Sequence, residues 1–348
     1  MINYKDKKTC ARDERAGLSR FCGIKIGILG FGVENQALLK WLFNHEANCI
    51  TICDANPKLE ILNSKQILNS KSKFSKLEIK SRLGKNYLKN LTDFEVVFRT
   101  PGISPLTPEL LEAKIKGVEI SSQIKLFMDL CLAKTIGVTG TKGKGTTSTL
   151  IYEILKNSSV KRLASKVYLG GNIGNPPIEF LDKLTKNDWV VLELSSFQLQ
   201  DLAKSPNIAV VLDIKTDHLD YHKNQKEYVE AKENIVRYQS KNDFTVVNLD
   251  YLTSFGFAAV SPSKNDYYFS RRKSVDQGTY VEWGEKRRGA HFGKIILRTS
   301  EKDIEICETY DITLRGEHNL ENISAAITAS YLAGASVESI KKVVKLMT

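Results

Sequence analysis

Thr135-Ile-Gly-Val-Thr-Gly-Thr-Lys-Gly-Lys-Gly-Thr-Thr147 is the stretch that decides the fold. Its first five residues read as a short buried strand, and a helix is expected from about Thr146 to Leu155. Between them lies a glycine-rich turn: Gly140, Thr141, Lys142, Gly143, Lys144, Gly145, Thr146 and Thr147. In such a turn the backbone N–H groups converge at the start of a helix, where phosphate oxygens are held, and Lys144 would reach the terminal phosphates of a nucleoside triphosphate. Compared with the common GxxxxGK[ST] spacing, Gly145 stands in the place of the metal-binding hydroxyl, with Thr146 and Thr147 directly after it.

Downstream, apolar strands recur at Trp189 to Glu193, Ile208 to Leu212 and Phe244 to Asn248, separated by helical or polar stretches. This alternation predicts a mostly parallel sheet covered on both faces, a P-loop NTPase-like α/β domain. Glu193 is a carboxylate leaving a buried strand beside a phosphate loop, which suits Mg²⁺, and Ser195 and Gln198 offer hydrogen bonds nearby. Thr216-Asp-His-Leu-Asp-Tyr-His222 clusters Asp217, His218, Asp220 and His222. Zinc is one reading of it, but a Mg²⁺ or phosphate contact needs fewer assumptions, and His222 reads as a surface residue. Residues 267–312 alternate apolar and polar positions between glycines, so antiparallel strands are expected at the sheet's side. Gly316-Glu-His-Asn-Leu-Glu-Asn322 opens a long helix, with Asn319 a candidate N-cap, and a shorter helix runs from Val337 to Leu346.

Upstream, Ile24 to Leu29 reads as a strand entering Gly30-Phe-Gly32, followed by helical spacing through Leu42 and a second strand, Cys49 to Cys53, ending at Asp54. Gly30 and Gly32 begin a GxGxxG pattern whose third glycine is replaced by Asn35, and Asp54 stands about where a ribose-binding acid belongs. Phe94 to Phe98 is a further strand, stopping at Thr100-Pro-Gly102, and Val118 to Ile120 another, followed by a helix over Gln123 to Leu132. The expected organisation is a polar lead-in over 1–20, a Rossmann-like parallel α/β domain over 21–133 and the P-loop domain over 134–348.

Composition agrees with a folded, multidomain protein: 348 residues exceed what one core usually supports. The 42% hydrophobic and 26% charged residues exclude a disordered or low-complexity chain, and the length excludes a peptide hormone. A net charge of +11 fits an anionic partner, but the excess is scattered and lacks interleaved aromatics, so nucleic acid is not expected. The six cysteines make no CxxC pair and no zinc spacing, so reduced thiols are expected. Without an apolar leader, or any apolar run near the roughly 18 residues that cross a bilayer, a cytoplasmic protein away from the membrane is expected.

Taken in order, Gly30-Phe-Gly32, Thr100-Pro-Gly-Ile-Ser104, Gly137 to Lys144, Gly170-Gly-Asn-Ile-Gly174, Leu192 to Gln198, Thr216 to Asp220, Tyr228-Val-Glu-Ala-Lys232 and Gly316 to Asn322 resemble the Mur ligase family, most closely its D-glutamate-adding branch. The resemblance implies an ATP- and Mg²⁺-dependent amide ligase of peptidoglycan precursor synthesis. The implied substrates are UDP-N-acetylmuramoyl-L-alanine and D-glutamate, joined through an acyl phosphate by a monomer. It further implies that Gly30, Gly32 and Asp54 lie at the uridine diphosphate, and that Thr100, Gly102, Asn172, Ser195 and Gln198 line the sugar and alanyl carboxylate. Lys144, Thr146 and Glu193 would hold ATP and one Mg²⁺, His218 and Lys232 a second, and Asn319 and Asn322 the adenine. The family's equivalent of Lys232 carries a CO₂ adduct, which turns a repelling ammonium into an anionic oxygen ligand. Three departures stand out. Gly145 replaces the usual hydroxyl residue, as in the folate-polyglutamating branch, so Thr146 would substitute. Asp213 replaces the more frequent Asn. The chain stops at Thr348, where the family continues into an amino-acid-binding domain of about 100 residues. The alternatives that this leaves are a folylpolyglutamate-synthase-like ligase and a non-catalytic nucleotide-binding remnant.

Overall fold

The structure, a computed structural model, describes residues 21–59, 78–158, 165–215, 224–287, 290–314 and 316–347. The chain divides into two compact units: Met1–Phe127 with Ile178–Asp182, and Met128–Pro177 with Lys183–Thr348.

The first unit holds a five-stranded parallel sheet in the order β3-β2-β1-β4-β5. Its strands are β1 (Lys25–Leu29), β2 (Cys49–Asp54), β3 (Glu78–Leu83), β4 (Val96–Arg99) and β5 (Glu119–Ser121), with helices α1 (Val33–Asn44), α2 (Pro108–Ile115) and α3 (Gln123–Leu130). β1 and β4 read as unbroken apolar runs because both faces of a parallel sheet are covered, and Leu29, Val97, Leu110 and Ala113 are buried together. The order reverses between β1 and β4, which makes the carboxyl end of β1 a switch-point crevice of the Rossmann kind. β3 was not expected: its residues, Glu78-Ile-Lys-Ser-Arg-Leu83, form an edge strand whose polar pattern hides it. The segment Ile178–Asp182 returns to this unit, where Asp182 accepts from the Trp41 indole at 3.1 Å and Phe180 sets its ring edge-on to Phe127.

The second unit holds a nine-stranded sheet in the order β14-β13-β12-β11-β10-β9-β6-β8-β7. The strands are β6 (Lys134–Thr139), β7 (Val167–Gly171), β8 (Trp189–Glu193), β9 (Ile208–Val211), β10 (Phe244–Asn248), β11 (Asp266–Ser270), β12 (Gly278–Arg287), β13 (Ala290–Arg298) and β14 (Asp303–Glu308). The helices are α4 (Lys144–Asn157), α5 (Ser196–Leu199), α6 (Gln225–Arg237), α7 (Leu252–Val260), α8 (Glu317–Leu332) and α9 (Val337–Met347). Its core joins Ile136, Val138, Ile151 and Ile154 to Val210, Val246, Phe269, Ile323 and Ile327.

Only part of the 267–312 stretch is antiparallel. β12, β13 and β14 pair that way, whereas β11 lies parallel to both β10 and β12. The connection of residues 271–277 is far shorter than the dozen or more residues a parallel crossover usually takes. Gly278 makes it feasible: at φ +117° it lies so close to the Tyr268 carbonyl that a Cβ would overlap it. Among the thiols, Cys49, Cys53, Cys131 and Cys307 are free, and burial pushes Cys53 and Cys307 up to about 11. Among the described residues, no helix is long and apolar enough to cross a membrane.

Candidate nucleotide-binding sites

The loop between β6 and α4 lies at the carboxyl edge of the large sheet, where the chain crosses from β8 on one side of β6 to β9 on the other. α4 starts at Lys144, two residues before the expected start, so the loop proper ends at Gly143. Gly143 has φ +84° and is packed so closely on the Asn322 amide that any side chain there would collide with it. The Lys144 ammonium folds back to donate to the carbonyls of Gly140 and Thr141, both at 3.0 Å. The Thr141 hydroxyl joins the loop to the segment after β9: it accepts from Lys215 N at 2.8 Å and lies 3.1 Å from Lys215 O and 3.3 Å from the Tyr228 hydroxyl. In that segment Asp213 pairs with Lys215 at 2.9 Å, and the hydrogen bond and charge of Asp213 raise the exposed lysine above its ordinary range.

Glu193 ends β8 and is 4% exposed. One carboxylate oxygen accepts from the Asn172 side chain at 2.9 Å, while the other, Oε2, is buried without a hydrogen-bond partner. A Cβ at Gly145 would stand 3.3 Å from that second oxygen, so the absence of a side chain leaves open space beside the carboxylate at the first turn of α4. The Thr147 hydroxyl is likewise buried without a partner. An anionic oxygen left unpartnered beside the helix that follows a phosphate-type loop is a donor that suits a hard divalent cation.

Lys232, on α6, is 1% exposed and donates to the Thr139 hydroxyl at 3.2 Å and the Gly140 carbonyl at 3.3 Å, with its ammonium 4.7 Å from the centre of the Tyr228 ring. Lys144, Glu193, Asn172, Lys232 and Asn322 therefore surround one loop, although they lie far apart in sequence. Asn319 is not the N-cap of α8; that position is Gly316, and Asn319 sits in the first turn, accepting from the Asn322 side chain at 3.0 Å. Ser195 and Gln198 form a capping box at the start of α5. Asp217, His218, Asp220 and His222 lie outside the described residues.

In the first unit, Gly30, Gly32, Asp54, Thr100 and Gly102 gather at the carboxyl ends of β1, β2 and β4. Asp54 closes the turn by accepting from Phe31 N at 2.7 Å and Asn56 N at 2.8 Å. A Cβ at Gly30 would come within 2.5 Å of the Thr100 methyl, so the two turns are packed on each other. Asn35, in place of the third glycine, donates its amide to the carbonyls of Leu29 at 3.2 Å and Gly30 at 2.7 Å, tying the strand end to α1. Arg99 was missed by the sequence reading. Fully buried, it donates to the carbonyls of Thr100, Pro101 and Ile103, the last at 2.6 Å, and so shapes the Thr100–Gly102 turn from inside. The available signal was a charged residue at the end of an apolar strand, the same one that marked Glu193. Burial and the charges of Asp54 and Glu109 push the Tyr87 phenol up in this neighbourhood.

A Rossmann-type crevice in one unit and a phosphate-type loop with a buried acid in the other mark an α/β protein with a glycine-rich turn at the switch point of each of its two sheets. Residues 138–330 match the Mur ligase middle domain, and the chain belongs to the Mur ligase family. It is 38% identical over 325 residues to UDP-N-acetylmuramoylalanine–D-glutamate ligase of Acetivibrio thermocellus, covering 93% of this chain and 65% of that one. It is also 38% identical over 330 residues to the enzyme of the same name from Symbiobacterium thermophilum, covering 94% and 68%. The chain thus spans about two thirds of the length of these curated relatives. A solved UDP-N-acetylmuramate:L-alanyl-gamma-D-glutamyl-meso-diaminopimelate ligase from Neisseria meningitides shares the fold, with a TM-score of 0.56 at 19% identity over 92% of this chain and 97% of that one.

Proposed function

We propose that the chain carries the nucleotide- and acceptor-binding units of an ATP-dependent ligase that joins D-glutamate to UDP-N-acetylmuramoyl-L-alanine in the cytoplasm. The observation that carries the reading is the Glu193 carboxylate, buried with one oxygen unpartnered at the start of the helix that follows the phosphate-type loop. The two relatives named for this reaction support the choice of substrates.

The chemistry answers a plain difficulty. A carboxylate is a poor electrophile, so its oxygen attacks the γ-phosphorus of ATP, giving an acyl phosphate and ADP. The amine of D-glutamate then attacks the acyl carbon, phosphate leaves with the electron pair of the C–O bond, and the amine gives up a proton. The loop amides from Gly140 to Thr147 hold the triphosphate. Lys144 exchanges its two loop carbonyls for phosphate oxygens, neutralising charge where it accumulates. Glu193 with Thr146, and His218 with Lys232 once a CO₂ adduct has replaced its repelling ammonium by an anionic oxygen, would hold Mg²⁺, which when bound supplies further neutralisation of the transferring group. Gly30, Gly32 and Asp54 take the uridine diphosphate end, Thr100, Gly102, Asn172, Ser195 and Gln198 the sugar and alanyl part, and Asn319 and Asn322 the base of ATP.

The test is direct. Purified chain is titrated with ATP and with UDP-N-acetylmuramoyl-L-alanine, and phosphate release is followed after D-glutamate is added. Binding of both nucleotides is expected. A chain that binds no ATP, or whose Lys144→Ala variant behaves like wild type, would sink the reading. Turnover with a pteroyl substrate in place of the uridine nucleotide would favour the folate-type alternative, for which Gly145 is the one supporting feature.

A further inference from the structure

The first turns of α8 are held by a buried ionic network that the proposed chemistry does not use. Glu321 is 5% exposed and accepts at one oxygen from Arg271 Nε at 2.6 Å and the Tyr251 hydroxyl at 3.0 Å, and at the other from the Asn248 amide at 3.1 Å. Arg271 also pairs through Nη1 with Glu317, one turn earlier on the same helix. Its own backbone is fixed on both sides: Arg271 N donates to Asp250 at 2.9 Å, and its carbonyl accepts from the Trp283 indole at 2.6 Å. Asp250 in turn accepts from the Ser270 hydroxyl at 2.6 Å. Asn248 at the end of β10, Tyr251 beyond it and Arg271 after β11 therefore converge on one carboxylate of α8, while Trp283 of β12 holds the backbone of the arginine. Burial and the Glu321 charge push the Tyr251 phenol up, so it stays a donor to that carboxylate.

The same helix carries Asn322, the residue against which Gly143 is packed. A Cβ on Gly143 would stand 2.1 Å from the Asn322 amide oxygen, so the phosphate-type loop is packed directly on the first turns of α8. We infer that the Arg271–Glu321 pair is a positioning device for the triphosphate: it fixes the start of α8, and through Asn322 the shape of the 140–143 loop, without touching the ligand. This rests on the reading of that loop as an ATP site. A buried ion pair is a weak source of net stability, because desolvation offsets most of the attraction, but it fixes geometry through direction-dependent hydrogen bonds.

The experiment uses the full chain and compares wild type, Arg271→Met, Arg271→Lys and the double variant Arg271→Met/Glu321→Leu. For each, the dissociation constant for ATP is measured by calorimetry well below the melting temperature, with the melting temperature measured alongside. Arg271→Met is expected to weaken ATP about tenfold and Arg271→Lys to recover part of the loss. The double variant, which leaves no buried unpaired charge and only the exposed Glu317 without its arginine, is expected to regain thermal stability but not affinity. If ATP affinity in the double variant returns with its stability, or if Arg271→Met lowers the melting temperature and leaves the dissociation constant unchanged, the pair is only structural and the inference fails. A wild-type chain that binds no ATP overturns the ATP-site reading itself, and this inference with it.

Discussion

At the scale of single residues, two environments lead to sharp expectations. Gly143 combines a left-handed φ with a neighbour that leaves no room for a side chain. Gly143→Ala should cost about 1–3 kcal/mol in stability and weaken ATP binding by an order of magnitude or more, read by denaturant melts and calorimetry. Asp188 shows how a carboxylate serves as a structural acceptor. Burial works against its charge, but hydrogen bonds from Lys166 N at 2.7 Å, Thr185 N at 2.8 Å and the Thr185 hydroxyl at 2.9 Å prevail and hold it below the ordinary aspartate range. A folded-state pKa below the unfolded one stabilises above the ordinary value, and that contribution is lost as pH falls through the folded value. Asp188→Asn should therefore be destabilised by about 1–3 kcal/mol at neutral pH, with the gap to wild type narrowing below about pH 4. Equal gaps at pH 7 and pH 3 would refute the assignment.

At the scale of elements, the parallel β11–β12 pair is the feature most exposed to test. Its short return survives because Gly278 has no Cβ to meet the Tyr268 carbonyl. Gly278→Ala should destabilise the second unit by about 2 kcal/mol, through both positive φ and the forced strand separation, and hydrogen exchange should quicken across 266–280 rather than across β6 and β8. α8 is a different case. Residues Leu320 to Ser330 are all buried, so the helix has no solvent face and its pattern carries no amphipathic signal. Its position is set by what surrounds it, which is why the Glu321 network could matter to a loop distant in sequence.

At the scale of the whole molecule, the two glycine-rich loops belong to separate units, each with its own sheet and core. A substitution confined to one loop should then act on the ligand that this loop holds. Lys144→Ala should reduce ATP affinity by roughly a hundredfold while leaving UDP-N-acetylmuramoyl-L-alanine binding within a factor of two. Asp54→Asn should do the reverse. Crossed losses in calorimetric titrations would show that the sites are coupled.

Much of this was legible from residues alone, because phosphate-type turns between a buried strand and a helix are local objects. Thr135 to Thr147 and Ile24 to Gly32 each carry their own strand, glycines and helix within a few residues, and Glu193 and Asp54 announce themselves as acids at the ends of apolar strands. Local chemistry therefore made both glycine-rich loops legible together with the strands and helices that flank them, but not the polar edge strand β3. What tertiary structure alone decided was everything that depends on chain segments meeting: the return of Ile178–Asp182 to the first unit, the parallel direction of β11 and β12, the Arg99 carbonyl clamp and the Arg271–Glu321 pair. The reason is physical. A lone buried charge is costly, so Glu321 and Arg271 make sense only together, and a sequence shows neither residue its partner 50 positions away.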